Sequence, residues 1–399
     1  MQKITNKKNV FQITILFMIL YFVSYITRIN YAAVISEMVS AEGISKSLAS
    51  LALTASAVTY GIGQLVSGFL GDRIEPKKVI FTGLCITIAM NFSIPFCKSP
   101  YQMTAAWAVN GMAQAFMWPP LVKLMSTLFS RDDYQKSCVI VSWGSSFGTI
   151  MVYLMSPVCI YLAGWRAIFF LSGAAAIIMA VVWLFKCPNI ASEDSGKKEK
   201  SSGKIPQTYM TVLIMIMLAI VLQGILRDGV TTWMPSYISE TFNLDSKTAI
   251  LTGVVLPIFS ILAFQITSLV YRRAIKSEML LAGIIFTIGF AAAFLLFVTN
   301  GVSAGLSVGL SALLTGCMHG VNLILTCMIP PYFEKFGHIS FISGLLNFCT
   351  YVGSSISGYG IAVFSENYSW RSTLLLWSAV ALVGALICLA FNRKWERIK

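Results

Sequence analysis

Twelve apolar stretches follow one another along this chain, each about 20 to 29 residues and so long enough to cross a hydrocarbon core of roughly 30 Å as a helix. They run approximately over 10–36, 47–70, 78–97, 101–126, 137–162, 166–186, 208–236, 247–271, 277–299, 303–330, 339–363 and 370–391. Nothing else in the sequence narrows the fold so far. Inside a bilayer every backbone N–H and C=O has to be satisfied within the spanning element, so stretches of this length become helices. The composition agrees, with 57% of residues hydrophobic and 11% charged, against about a quarter charged in ordinary soluble domains. The reading is an all-α membrane protein with twelve transmembrane helices.

A formal charge of +13 would suggest nucleic acid as the partner of a soluble protein, but here the basic residues follow the topology. With the N-terminus inside, 21 of the 29 Lys and Arg fall in cytoplasmic segments, five outside (Lys46, Lys98, Arg166, Lys247 and Arg371) and three within spans. That excess places both termini in the cytoplasm and predicts a multi-pass protein of the cell (inner) membrane; no nucleic-acid partner is needed. The first span follows three lysines, as a signal peptide would, yet it is too long, lacks a convincing small-residue cleavage site and carries Arg28. Nine cysteines are scattered singly with no CxxC pair. They read as small core residues, and neither a metal nor another cofactor is expected.

One hydrophilic segment, CPNIASEDSGKKEKSSGKIPQ at 187–207, breaks the alternation of spans and reads as a cytoplasmic linker. It separates a first six-span half, 1–186, from a second, 208–399. Internal similarity supports the division. GWRAIFFLSGAAA from Gly164 resembles SWRSTLLLWSAVA from Ser369 at an offset of 205, Arg28 and Arg227 are offset by 199, and the GDR at Gly71 corresponds to Arg272 and Arg273. A parallel duplication of this kind puts the substrate site at the interface of the repeats, near the midplane. Breakers are expected to bend or end helices at Trp118-Pro119-Pro120, Pro157, Pro235, Pro257 and Pro330-Pro331. Gly61, Gly63, Gly68 and Gly71 form a small-residue face that permits close helix approach.

The chemistry lies in the few charges inside the spans. A guanidinium at the centre of a spanning helix costs about 2.5 to 3.5 kcal/mol on insertion scales, so Arg28 and Arg227, matched in the two halves, need a polar partner or a watery cavity. An anionic substrate supplies one; snorkelling or a structural carboxylate is the alternative. Tyr21, Tyr25 and Arg28 fall at i, i+4 and i+7 and share a helix face. Arginine's planar fork matches phosphate or carboxylate, and phenolic donors complete an oxyanion shell. Tyr21 also fits an interfacial aromatic belt. Lys123 either binds the same anion or snorkels toward the cytoplasm. Asp228, beside Arg227, reads as a structural counter-ion or as a proton carrier for coupling. His319, in the tenth span, reads as a helix–helix hydrogen bonder or as a group titrating near neutrality.

These residues resemble the organophosphate:phosphate antiporters of the major facilitator superfamily, which include bacterial glycerol-3-phosphate and hexose-phosphate exchangers. The resemblance covers essentially the whole chain. It rests on Arg28-x-Asn30, on YGIGQLVSGFLGDR from Tyr60, on NGMAQAFMWPP from Asn110 with Lys123 following, and on Gly164-Trp165-Arg166. In the second half it rests on Arg227 with WMPSY from Trp233, on Tyr351 in FCTYVGSS and on Ser369-Trp370-Arg371. It implies the major facilitator fold of two pseudo-symmetric six-helix bundles. It further implies that Arg28 and Arg227 clamp a phosphoryl group from opposite halves while Tyr21, Tyr25, Tyr60 and Tyr351 line the cavity. The chain departs from the family's pattern at Ile29 and Gln64, where lysines are common, at Ser145, Ser146 and Phe147, where some exchangers have a histidine, at Thr232 in place of an aspartate, and at His319 in place of a tyrosine.

The expected function is exchange of an organic phosphate, of the sugar phosphate or glycerol phosphate class, for inorganic phosphate by alternating access. The alternative is a proton-coupled symporter of an organic carboxylate or sulfonate. A transporter-like receptor is a third reading. No nucleophile, base or metal constellation points to an enzyme, and a monomer in the lipid bilayer is expected.

Overall fold

The computed structural model describes residues 3–188, 205–243 and 255–399, and among them every regular element is helical. In chain order these are α1 (Lys7–Glu42), α2 (Lys46–Arg73), α3 (Pro76–Ser93), α4 (Pro100–Gln114), α5 (Trp118–Leu128), α6 (Arg131–Ala163), α7 (Ala167–Lys186), α8 (Gln207–Phe242), α9 (Val255–Arg273), α10 (Glu278–Val298), α11 (Ala304–Asn322), α12 (Ile339–Tyr368) and α13 (Trp370–Ile398). Among the described residues eleven segments are long and apolar enough to cross a bilayer as one helix. The fourth expected span, 101–126, is instead made of two helices, α4 and α5, parted at residues 115–117. The linker expected at 187–207 falls largely on 189–204, outside the described residues, as does the start of the eighth span.

The helix ends follow local sequence chemistry. Side chains of Asn6, Ser45, Ser99, Ser130, Ser277 and Ser303 each accept a first-turn backbone amide, satisfying a donor that the helix cannot. The two 36-residue helices α1 and α8 both stop at a left-handed residue, Gly43 (φ 63°) and Asn243 (φ 51°), the conformation that these two residue types tolerate best.

The breakers act unequally. Pro119 and Pro120 lie in the first turn of α5, where a missing N–H costs nothing, so the WPP motif restarts a helix. Pro157 and Pro235 lie inside α6 and α8, which run through them; each removes one ladder hydrogen bond while the flanking turns stay packed. At Pro330-Pro331, whose missing N–H groups leave the Thr326 and Cys327 carbonyls without their helical partners, α11 passes into a wider π-helical stretch, Leu323–Met328, before a tight 3₁₀ stretch from Pro330 to Phe336. Leu323 lies 205 residues beyond Trp118, so the tenth span is disturbed at the position where the fourth is broken.

The chain forms two compact units, Met1–Ser202 with Phe333–Leu345, and Gly203–Tyr332 with Leu346–Lys399. Within each, the same contacts recur at the repeat offsets. A Cβ on Gly148 of α6 would sit 2.8 Å from the Phe22 carbonyl oxygen of α1, and one on Gly353 of α12 would sit 2.1 Å from that of Val221 in α8. The glycines are offset by 205 and their partners by 199. Only a missing side chain lets these backbones touch. Trp165 Nε1 donates to Glu42 (3.2 Å), which also pairs with Arg166 at 2.8 Å; in the other unit Trp370 Nε1 donates to Glu240 (2.7 Å). The repeated GWR and SWR motifs thus tie the end of α7 or α13 nearest them to the last turn of α1 or α8.

Candidate functional site

The turn of α1 that carries Arg28 is held from behind by a buried polar network. The Thr27 carbonyl accepts from Asn91 Nδ2 (3.2 Å) and Asn110 Nδ2 (3.1 Å). Asn30 Nδ2 donates to Asn91 Oδ1 (2.8 Å), and Asn30 Oδ1 accepts the Tyr31 amide (3.0 Å). One turn earlier Ser24 Oγ donates to Gln114 Oε1 (2.6 Å), whose Nε2 donates to Thr27 Oγ1 (2.9 Å). Side chains of α3 and α4 therefore reach into the backbone of α1, and all seven residues are buried. Unsatisfied polar groups at this depth would each be costly, so the network fixes the rotation and register of the helix.

Tyrosine rings hold Arg28 itself. Its guanidinium carbon lies 4.2 Å from the Tyr25 ring centroid and 4.8 Å from that of Tyr60 on α2, within cation–π range of both. Tyr21 meets Tyr25 edge-on at 5.2 Å and packs on Trp118 of the WPP motif at 4.9 Å. Stacking engages the faces of the planar group, whereas hydrogen bonds form at its edge. The first unit thus brings Arg28, Tyr21, Tyr25 and Tyr60 together. Gln64, one turn after Tyr60, is fully buried.

Lys123 is engaged elsewhere. Its Nζ donates to the carbonyls of Gly71 (2.8 Å) and Asp72 (3.1 Å) and lies 3.7 Å from the Asp72 carboxylate, about three turns along α2 from Tyr60. The Asp72 carboxylate also accepts the amides of Ser340 and Phe341 (2.9 and 2.8 Å), which cluster with the first unit. Lys123 balances a buried aspartate at the end of α2.

In the second unit Arg227 and Asp228 form a bidentate pair, Nε to Oδ1 at 2.6 Å and Nη2 to Oδ2 at 2.9 Å. Adjacent helical residues point about 100° apart, yet the long arginine stem folds back to its neighbour. Ser354 Oγ of α12 donates to the same carboxylate and also lies 3.0 Å from the Thr350 carbonyl oxygen, a second acceptor for its one proton. The two helices are in backbone contact here, since a Cβ on Gly224 would lie 2.3 Å from the Thr350 oxygen. Tyr351 is next to Thr350, three residues before Ser354. His319 of α11 meets Phe264 of α9 edge-on at 5.4 Å and lies within electrostatic reach of Arg227 and Asp228. One turn before Arg227, the buried Gln223 donates to the Met318 carbonyl at 3.1 Å, tying α8 to α11 as Ser24 ties α1 to α4; Ser24 and Gln223 are again 199 apart.

Sequence reasoning did not single out Ser24, Thr27, Asn91, Gln114, Gln223 or Ser354. Their signal was present all the same, because each is a polar residue in an apolar span, where such residues either hydrogen-bond a neighbouring helix or serve function.

The comparisons with known proteins point the same way. The sequence profile of the Major Facilitator Superfamily matches residues 17–358. A probable hexose phosphate transport protein of Chlamydia muridarum is 21% identical over 92% of this chain and 88% of its own length, and the membrane sensor protein UhpC of Escherichia coli is 22% identical over 93% and 89%. The structure of the superfamily transporter FucP in the outward conformation superposes with a TM-score of 0.76, covering 96% of this chain and 99% of that one at 12% identity. With the family profile matched over residues 17–358, and with its helices and duplicated contacts in keeping, the chain belongs to the Major Facilitator Superfamily.

Proposed function

We propose that the chain carries an organic phosphate, of the sugar phosphate or glycerol phosphate class, across a cell membrane in exchange for inorganic phosphate by alternating access. The observation that carries this is the pair of matched arginines, Arg28 clasped by Tyr25 and Tyr60 and Arg227 held on α8, each on a turn tied to neighbouring helices by buried hydrogen bonds. The likeness to a relative named as a hexose phosphate transport protein supports the same class of anion. Both arginines engage the phosphoryl group, and Tyr21, Tyr25, Tyr60 and Tyr351 complete its shell. The two six-helix halves are residues 1–186 and 208–399, joined by 187–207, with both termini in the cytoplasm and the monomer as the working unit.

Exchange fits the energetics. Importing an anion against 100 mV, negative inside, costs about 2.3 kcal/mol for each charge it carries, and one-for-one exchange of equal charges cancels it. The test is uptake of labelled inorganic phosphate into vesicles preloaded with phosphate, competed by phosphate esters, sulfonates and carboxylates. Uptake that needs internal phosphate and yields to phosphate esters supports the reading. Uptake driven by a proton gradient without internal phosphate, and competed by carboxylates or sulfonates, overturns it in favour of symport, with Asp228 or His319 as proton carrier. A second reading is favoured by the relative named as a membrane sensor protein: a receptor of this fold would bind the ester and show no counterflow.

A further inference from the structure

We propose that Asp228 is a specificity-determining residue that sets the charge of the transported anion, so that the site prefers a monoanionic ester over a dianionic one of the same shape. The inference rests on the reading of Arg227 as a phosphoryl ligand and deepens it. An arriving oxyanion meets an Arg227 whose Nε and Nη2 edge is already taken by a carboxylate at 2.6 and 2.9 Å. The pair is neutral, so the second unit offers hydrogen-bond geometry with little net attraction for a second negative charge. Dianionic phosphate needs the full charge of both arginines; a monoanion is satisfied by Arg28 with the hydrogen-bonding capacity of the Arg227 pair.

Asp228 is built into place. Ser354 holds its carboxylate from α12 and lies beside the Thr350 carbonyl, and the contact of Gly224 with the Thr350 carbonyl sets the distance between the two helices. Displacing the carboxylate therefore breaks a hydrogen bond between helices as well as the ion pair. His319, also within electrostatic reach of the pair, is an imidazole without an obligate charge, so it does not restore the positive charge that the carboxylate cancels.

The experiment is calorimetric titration of the full chain, purified in detergent at pH 8, with glucose 6-phosphate and glycerol 3-phosphate, mostly dianions there, and with the corresponding sulfate esters, which are monoanions at any such pH. Wild type is expected to bind the sulfate esters at least as tightly as the phosphates. Asp228→Asn is expected to raise the phosphate-to-sulfate affinity ratio at least tenfold, equivalent to about 1.4 kcal/mol. Ser354→Ala, which keeps the charge but loosens it, should move the ratio the same way by a smaller factor, and keeps the test decisive if the first variant does not fold. A ratio within twofold of wild type in every variant that elutes as a single folded species overturns the inference while leaving phosphate transport standing. Failure of folded wild type to bind any of the four esters overturns both.

Discussion

Replacing Gly353 with alanine tests the packing that places Arg227. The added Cβ would lie 2.1 Å from the Val221 carbonyl oxygen, 2.9 Å from the Ile225 nitrogen and 3.0 Å from the Val221 carbonyl carbon. All three are backbone atoms of α8, so no side chain can swing away, and the helices must part locally by more than about 1 Å to reach ordinary contact. Overpacking of this kind costs about 2 to 3 kcal/mol. Alanine's better helix propensity returns about 1 kcal/mol, leaving a net loss of about 1 to 2 kcal/mol. For a unit of this size that is a fall of about 3 to 6 °C in the unfolding midpoint. Gly358, on the same helix, has open space within 4 Å of where a Cβ would stand, so Gly358→Ala should gain the propensity alone and rise by about 2 to 4 °C. The assay is thermal unfolding in detergent, followed by tryptophan fluorescence, of both variants side by side. Because the displaced turn of α8 leads directly to Arg227, Gly353→Ala should also raise the KM for the anion. Equal midpoints for the two variants would refute the argument that these helices meet backbone to backbone.

Three further outcomes are expected. Asn91→Ala removes the partner of the buried Asn30 amide and one of two donors to the Thr27 carbonyl, and should cost about 1 to 3 kcal/mol in denaturant unfolding while raising KM through the Arg28 turn. Arg28→Lys keeps the charge but loses the fork and the stacking on two tyrosines; it should reduce transport at least tenfold in vesicles without a comparable loss of stability. Cys187 lies just beyond α7, where burial pushes its thiol up to about 12 against the opposing pull of Lys77. About one thiol in ten thousand is then ionised at pH 8, so maleimide should label this position at an appreciable rate only after unfolding, as peptide mass mapping before and after denaturation will read.

The sequence by itself determined the helical membrane fold, because a bilayer leaves an apolar stretch of this length one way to satisfy its backbone. It also determined the duplication, since Arg28 and Arg227, and the GWR and SWR motifs, repeat at nearly constant offsets. The tyrosines around Arg28 were legible for a related reason: a spacing of four and seven residues puts them on one face of any helix, and the structure stacks Tyr25 on the guanidinium. Which partner each buried charge takes was left open, because periodicity along one helix says nothing of what the neighbouring helix presents. Only tertiary structure turned Lys123 to the last turn of α2, folded Arg227 onto Asp228 and brought Ser354 to that carboxylate. The same holds for the form of the irregularity at Leu323–Met328: Pro330-Pro331 announced a break there, and not that it would be a widened turn. Buried charges and amides choose partners by distance and by the cost of being left unsatisfied, and both quantities exist only once the helices have packed.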